Sequence, residues 1–102
     1  MASRLKLHEE LCDFLGSRNV YYNPPSSVRM GYPAIKYSKS RLDQKFANNK
    51  TYASMNGYEV IIIDPNPDSE FPDAMVGRFE RCRFDRCYVA DNLYHNVYTI
   101  YY

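Results

Sequence analysis

The stretch Tyr58-Glu59-Val60-Ile61-Ile62-Ile63-Asp64-Pro65-Asn66-Pro67-Asp68 decides the fold of this chain. Its Val-Ile-Ile-Ile core is apolar at successive positions, which is typical of a central strand covered on both faces. Pro65 and Pro67 then remove backbone donors and end the strand. The sequence therefore predicts a principal strand over 52–64, with Asn56-Gly57 as a hairpin turn, a bulge or the start of the strand.

Two helices are predicted to pack on the sheet. The first runs from a cap at Ser3 to about Leu15 and ends at Gly16. Its apolar face is predicted to hold Leu5, His8, Leu11, Cys12 and Leu15. The second follows the proline-rich segment, with Asp68 or Ser69 as its cap and Pro72 in its first turn. Its apolar stripe is predicted to consist of Phe71, Met75, Val76 and Phe79.

The other segments are read as strands and turns. Strands are predicted over 20–22, 32–37, 81–89 and 94–102, and residues 90–93 form the turn of the last hairpin. Residues 38–52 have almost no apolar periodicity, which predicts a long hairpin arm or loop. The fold class is therefore α+β: a mostly antiparallel sheet of about four to five strands, with two helices packed on it and a long arm. The length fits a single domain over 1–102.

Composition narrows the possible functions. The chain has 102 residues, with 13 Lys and Arg against 12 Asp and Glu. A dedicated nucleic-acid binder normally has a clear basic excess, so the overall charge argues against that class. Its 11 tyrosines and absence of tryptophan suit half-buried strands and subunit contacts. The sequence shows no signal peptide and no apolar run of membrane-spanning length, so we expect a cytosolic product.

The residue types that carry catalysis do not form a recognisable set. His8 and His95 have no partner in a catalytic motif. The three cysteines match no zinc spacing, and Cys82 and Cys87 are expected to face opposite sides of a strand. The segment 64–68 lacks the ligand spacing of a calcium loop. We therefore expect no enzyme activity, no cofactor and no metal site.

Charge is distributed unevenly along the chain. Residues 36–50 contain five basic residues against Asp43, a net charge of +4, whereas residues 59–73 contain five acidic residues and no basic one. The candidate interaction residues are Lys36, Lys39, Arg41, Lys45, Lys50, Asp64, Asp68, Glu70 and Asp73. Three interpretations are open: two solvated surfaces, a contact between the arm of one subunit and the acidic segment of another, or an arm that meets the DNA backbone.

The order of these segments resembles a known family. The strand Tyr21-Tyr22-Asn23-Pro24-Pro25, the strand Tyr32-Pro33-Ala34-Ile35-Lys36-Tyr37 and the stretch over 58–68 are similar to the tail terminator proteins of long-tailed bacteriophages. The likeness covers nearly the whole chain. It implies a virion protein of the phage neck, assembled in the host cytoplasm, that forms a hexameric ring. Such a ring caps the tail tube, meets the head connector and leaves a lumen for double-stranded DNA.

Other functions are kept open. Within phages, the alternatives are another head–tail connector or adaptor, or a head-closure protein. A protein of those classes more often has a small barrel without a second helix, so the stripe from Phe71 to Phe79 favours the terminator. From a different class, the alternative is a small nucleic-acid-binding or regulatory protein.

Overall fold

The computed structural model describes residues 4–40 and 57–102. Its elements are α1 (Arg4–Leu15), β1 (Val20–Tyr22), β2 (Ala34–Lys39), β3 (Gly57–Asp64), α2 (Phe71–Arg78), β4 (Cys82–Ala90) and β5 (Leu93–Tyr101). The strands form one sheet in the order β1-β2-β3-β5-β4. The predicted α+β class is confirmed for these residues. The predicted arm over 38–52 lies outside them, apart from the end of β2 and Ser40.

Strand β3 is the centre of the sheet, as the sequence predicts. It pairs with β2 on one side and β5 on the other, so that Ile62 lies opposite both Ile35 and Asn96. Every residue of β3 is buried except Glu59, which is half-buried. The described strand begins at Gly57, and the predicted extension to residue 52 lies outside the described residues.

Both helices lie on one face of the sheet, which we call the helix face. The core there joins α1 and α2 to alternate residues of the strands. Its buried members are Leu7, Leu11, Cys12, Leu15, Val20, Ile35, Tyr37, Tyr58, Val60, Ile62, Met75, Phe79, Tyr98 and Ile100. Together these side chains form the main hydrophobic core.

The apolar face of α1 differs from the prediction at one residue. Leu5 was expected to be buried but is 65% exposed, and Leu7 is fully buried instead. The two positions lie about 200° apart around a helix, so only one of them can face the sheet. Leu7 has the four-residue spacing to Leu11 and Leu15 that forms one stripe.

Helix α2 begins at Phe71, so its N-cap lies one residue after Ser69 and two after Asp68. Glu70 occupies the N-cap position without a side-chain capping bond, and Pro72 lies in the first turn. The predicted cap at Asp68 or Ser69 is therefore wrong, although the Phe71 N–H donates to Ser69 Oγ at 3.3 Å. Met75 is buried as predicted, whereas Val76 is 49% exposed.

The opposite side of the sheet, which we call the outer face, has a smaller core. Ile61, Ile63 and Val97 are buried there, and Met30 and Leu93 pack against them. The loop over 24–31 carries Met30 onto this face. The central strand is thus covered on both sides, which explains why its isoleucines follow one another without alternation.

The first two strands are parallel, with Val20 opposite Ile35 and Tyr22 opposite Tyr37. The prediction of mostly antiparallel pairing did not anticipate this contact. Residues 23–33 do not form a hairpin turn; they cross the outer face and enter β2 in the direction of β1, as a parallel pair requires. The remaining neighbours, β2–β3, β3–β5 and β4–β5, are antiparallel.

We expect Ile62→Ala to lower the free energy of unfolding by about 2–5 kcal/mol, because a fully buried side chain leaves a cavity between the sheet and the helices. Urea denaturation followed by circular dichroism measures the loss. Leu5→Ala is the matched control, since an exposed side chain should change stability by no more than about 0.5 kcal/mol. A loss below about 1 kcal/mol for Ile62→Ala would contradict the position of the core.

Candidate functional site

The predicted basic residues are only partly described. Lys36 is half-buried on the outer face of β2, and Lys39 is exposed at the end of that strand. Arg41, Lys45 and Lys50 lie outside the described residues. Among the described residues, the basic surface is therefore the end of β2, and Lys39 is its exposed charge.

One of the acidic residues lies beside this basic strand within the same chain. Ser38 pairs with Glu59 and Lys36 pairs with Ile61, so Lys36 and Glu59 are diagonal neighbours on the outer face. Both line a shallow pocket of about 220 Å³ that is closed on one side by Asn23 and Pro24. Glu59 thus lies beside a basic side chain on the sheet and apart from the other acidic residues.

The other acidic residues occupy the connection from β3 to α2. Asp64 is only 6% exposed, and its Oδ1 accepts the Asn66 N–H at 2.8 Å. Asn66 Oδ1 in turn accepts the Asp68 N–H at 2.9 Å. Asp64 is thus part of the turn that ends β3. Three exposed carboxylates remain: Asp68 and Glu70 lie before α2, and Asp73 lies in its first turn. We call the segment 68–73 that carries them the acidic loop.

Lys39 and the start of the connection to α2 lie at opposite ends of β3. Lys39 pairs with Tyr58 at the start of β3, whereas Ala34 pairs with Ile63 at its end. The chain leaves β3 after Asp64, six strand positions from Tyr58, which corresponds to roughly 20 Å along the strand. It then returns over the helix face, where the carbonyl oxygen of Pro72 accepts the hydrogen bond of the Tyr98 hydroxyl at 2.7 Å and Tyr98 pairs with Val60. A single subunit therefore presents a basic strand end at Lys39 and three carboxylates on the segment that follows the other end of β3.

A cluster of aromatic and basic side chains connects α1 to the sheet. Tyr37 packs against Tyr22 with ring centroids 5.0 Å apart, and Tyr58 lies 6.2 Å from Tyr37. The Arg4 guanidinium stands 4.3 Å from the centre of the Tyr22 ring. It also donates to the Tyr37 hydroxyl at 3.1 Å, while His8 Nδ1 lies 2.7 Å from that same hydroxyl.

The Tyr37 hydroxyl joins Arg4 and His8. Its oxygen accepts from Arg4, and its O–H can donate to Nδ1 when His8 is neutral. Burial, followed by the nearby charges of Arg18 and Arg4, lowers the pKa of His8. Burial raises the pKa of Tyr37, so this phenol stays protonated at neutral pH. These contacts hold α1 on the sheet. His8 packs on the core from the apolar side of α1, as the sequence predicts.

The second histidine lies on the outer face of the last hairpin. The His95 ring stacks on Tyr88 with centroids 4.7 Å apart and an interplanar angle of 11°. Its Nδ1 lies 3.0 Å from the carbonyl oxygen of Leu93. Among the described residues, no group of three His, Cys, Asp or Glu side chains is placed to hold a metal ion.

The cysteines correct one prediction. Cys82 pairs with Ile100 and Cys87 with Asn96, so both lie on the helix face and not on opposite faces. A bulge between Phe84 and Arg86 adds one residue to β4 and shifts the alternation. The two cysteines are still four positions of β5 apart, about 13 Å, which is too far for a disulfide. Burial raises the pKa of Cys82 to about 11 and also raises that of Cys12, so both thiols are protonated at neutral pH.

The residues that sequence analysis missed lie on β4. This strand is exposed along nearly its whole length, and the side chains of Phe84, Tyr88 and Val89 reach solvent. The segment was predicted as a strand, but the sequence alone did not show that neither helix would cover it. In the parts of the chain that the structure describes, no helix is long and apolar enough to span a membrane.

We expect the free energy of unfolding to fall as the pH drops below the ordinary histidine pKa of about 6.5, because the folded state keeps His8 neutral. The loss should level off below the lowered pKa of the folded protein. Urea titrations between pH 7 and pH 4 measure it. His8→Gln keeps an acceptor for Tyr37 and should flatten this part of the profile, whereas Leu5→Gln, a change at an exposed position of the same helix, should not. An unchanged profile in His8→Gln would contradict the assignment.

Comparison of the chain with protein-family models, with curated proteins and with solved structures gave no match. The feature with the clearest functional content is that Lys39 and the acidic loop follow opposite ends of β3.

Proposed function

We propose that this chain is a structural protein of a bacteriophage neck, most similar to a tail terminator. In this role its copies form a homo-oligomeric ring of six subunits on the end of the tail tube. The ring joins the tube to the head connector and leaves a lumen for DNA, and it is assembled in the host cytoplasm before it becomes part of the virion. The resemblance in segment order supports the family, and the charge distribution supports the ring.

The observation that carries the proposal is that a basic strand end and an acidic segment occupy different parts of one subunit. Lys39 lies beside the start of β3, whereas the acidic loop follows the other end of that strand, which is roughly 20 Å along it. Charges that are far apart in one subunit cannot neutralise each other, but they meet when subunits are placed head to tail. Contacts of this kind generate rings when the rotation between subunits closes.

The long arm extends this argument. We propose that residues 38–52 form an arm that continues from Lys39 and brings Arg41, Lys45 and Lys50 to the acidic loop of the next subunit. Complementary charges of this kind fix the register of an assembly more than they add affinity. Asp64 takes no part in the contact, because it is buried in the turn.

A second role for the arm is contact with the DNA backbone in the lumen. Among the described residues, Arg83 and Arg86 on β4 and Arg81 just before it are exposed side chains that suit phosphate contacts and would add to those of the arm. It would also agree with the alternative class of nucleic-acid-binding protein. The two roles differ in whether charge reversal affects ring formation or only a later step.

We expect the triple variant Lys39→Glu, Arg41→Glu and Lys45→Glu to lose ring formation, because like charges would then meet across the subunit contact. Negative-stain microscopy and native mass spectrometry of the protein mixed with tail tubes measure assembly. A second variant, with Asp68, Glu70 and Asp73 changed to Lys, should lose it equally. Mixing the two variants should restore rings, because basic and acidic ends are exchanged between them. The defect of each should weaken in high salt.

The control reverses Arg29 to Glu, an exposed charge outside both proposed contacts. Rings that form normally in the arm triple variant, with a defect only in joining heads, would favour the DNA role. A wild-type protein that ignores tail tubes and remains a monomer would overturn the terminator proposal. Retarded DNA migration by that monomer would favour the regulatory or nucleic-acid-binding class.

A further inference from the structure

Strand β4 is an uncovered edge of the sheet. It pairs with β5 on one side, and no other strand among residues 4–40 and 57–102 pairs with its other side. Phe84 is 48% exposed and Val89 is 60% exposed. A nine-residue edge of this kind offers a row of backbone donors and acceptors to another strand.

The last hairpin shows which backbone groups face the free edge. Asp91 and Asn92 both have positive φ, as in a two-residue type I′ turn, so Ala90 and Leu93 form the hydrogen-bonded pair that closes it. Along an antiparallel strand the residues alternate between facing the partner strand and facing away. At the other end, the Arg81 carbonyl accepts the Tyr101 N–H at 3.0 Å and so faces β5. The N–H and C=O groups that face away from β5 are therefore those of Cys82, Phe84, Cys87 and Val89.

The bulge explains why this set is not evenly spaced. Counting back from the turn, the residues whose backbone groups face away from β5 are 89 and 87. Counting forward from Arg81, they are 82 and 84. The extra residue between Phe84 and Arg86 accounts for the step of three in the middle. It also places all four side chains on the helix face, since their partners on β5 all lie on that face.

We propose that two copies of the free protein pair through β4, antiparallel and about a twofold axis at the bulge. Phe84 then lies opposite the partner's Cys87, and Cys82 lies opposite the partner's Val89. Every residue with outward backbone groups meets another such residue, and each of these pairs exchanges two hydrogen bonds. The same register puts helix-face side chains beside helix-face side chains. A one-residue shift would break both matches.

The charged and aromatic side chains of β4 also fit this register. Asp85 lies opposite the partner's Arg86, so the ion pair of 2.8 Å that these residues make within one chain is replaced by two pairs across the axis. On the outer face, Arg83 lies opposite the partner's Tyr88, where a guanidinium can stand over the ring. On the helix face, Phe84 and Val89 of both copies join into one apolar surface, which gives the contact its hydrophobic part.

The competing explanation is that the bulge and the charges only protect the edge, since natural sheets use both devices to prevent strand addition. Protection requires charges on the edge, but it does not require that they complement one another about the bulge. In one register the outward backbone groups, the sheet faces and the charges of two copies all match, so a second copy of the chain is the favoured partner. The contact closes on itself, so it is distinct from the head-to-tail contacts of the proposed ring and does not rest on them.

Disulfide trapping tests the register. In Phe84→Cys, the new thiol should lie opposite the partner's Cys87, so mild oxidation with diamide should give a dimer linked between residues 84 and 87, identified by peptide mass spectrometry. Val76→Cys is the matched control, because it adds one exposed thiol on the same side of the molecule. Thiols held in place should react roughly tenfold faster than thiols that meet by diffusion.

Loss of the linked dimer in Phe84→Cys combined with Cys87→Ser would support the proposal further. Equal rates for Phe84→Cys and Val76→Cys, or links that join residue 84 to residue 84, would overturn it. Sedimentation of the wild-type protein provides a measurement without new thiols: a dimer that forms with concentration supports the pairing, and a monomer at all concentrations contradicts it. The measurements use the free protein without tail tubes, so their outcome is separate from that of the ring.

Discussion

The constraint on which the structure depends is that β3 is apolar on both faces and must be covered on both. On the helix face, α1 and α2 cover Val60 and Ile62. On the outer face, Met30 covers Ile61 and Ile63, and it lies on the connection between β1 and β2. That connection must therefore cross the sheet, and a strand that is entered after crossing runs parallel to the one before it. The mixed sheet follows from the need to bury Ile61 and Ile63.

Two helices are enough to cover the centre of the sheet but not its edge. Met75 of α2 and Phe79 just after it pack over the central strands, whereas Phe84 on β4 keeps about half of its surface in solvent. A 102-residue chain has little further apolar surface with which to cover a fifth strand. The exposed strand is thus a consequence of size, and it is also a place where we propose that another chain binds.

Much of this arrangement could be predicted from the sequence where a signal is local. The run of isoleucines identifies the central strand, and Asp91-Asn92 identifies the last turn. The choice of Leu7 over Leu5 depends on which side of α1 meets the sheet, and the periodicity of a short helix leaves that open. The bulge that brings Cys87 to the helix face has no signature in single residues, because it reflects pairing with β5. The acidic and basic segments were recognised, but their separation depends on the register of β2 with β3.

The cover of the outer face by a loop has a consequence for motion. Loop 24–31 is joined to the sheet by few side chains, of which Met30 is the one that packs on Ile61, Ile63 and Val97. The hydrogen-bonded ladders on both sides of β3 do not pass through this loop. It can therefore open as a local unit while the ladders stay intact, and the free energy of that opening is smaller than the free energy of unfolding the whole domain. Amide hydrogens would then exchange slowly in β3 and faster in the loop that covers it.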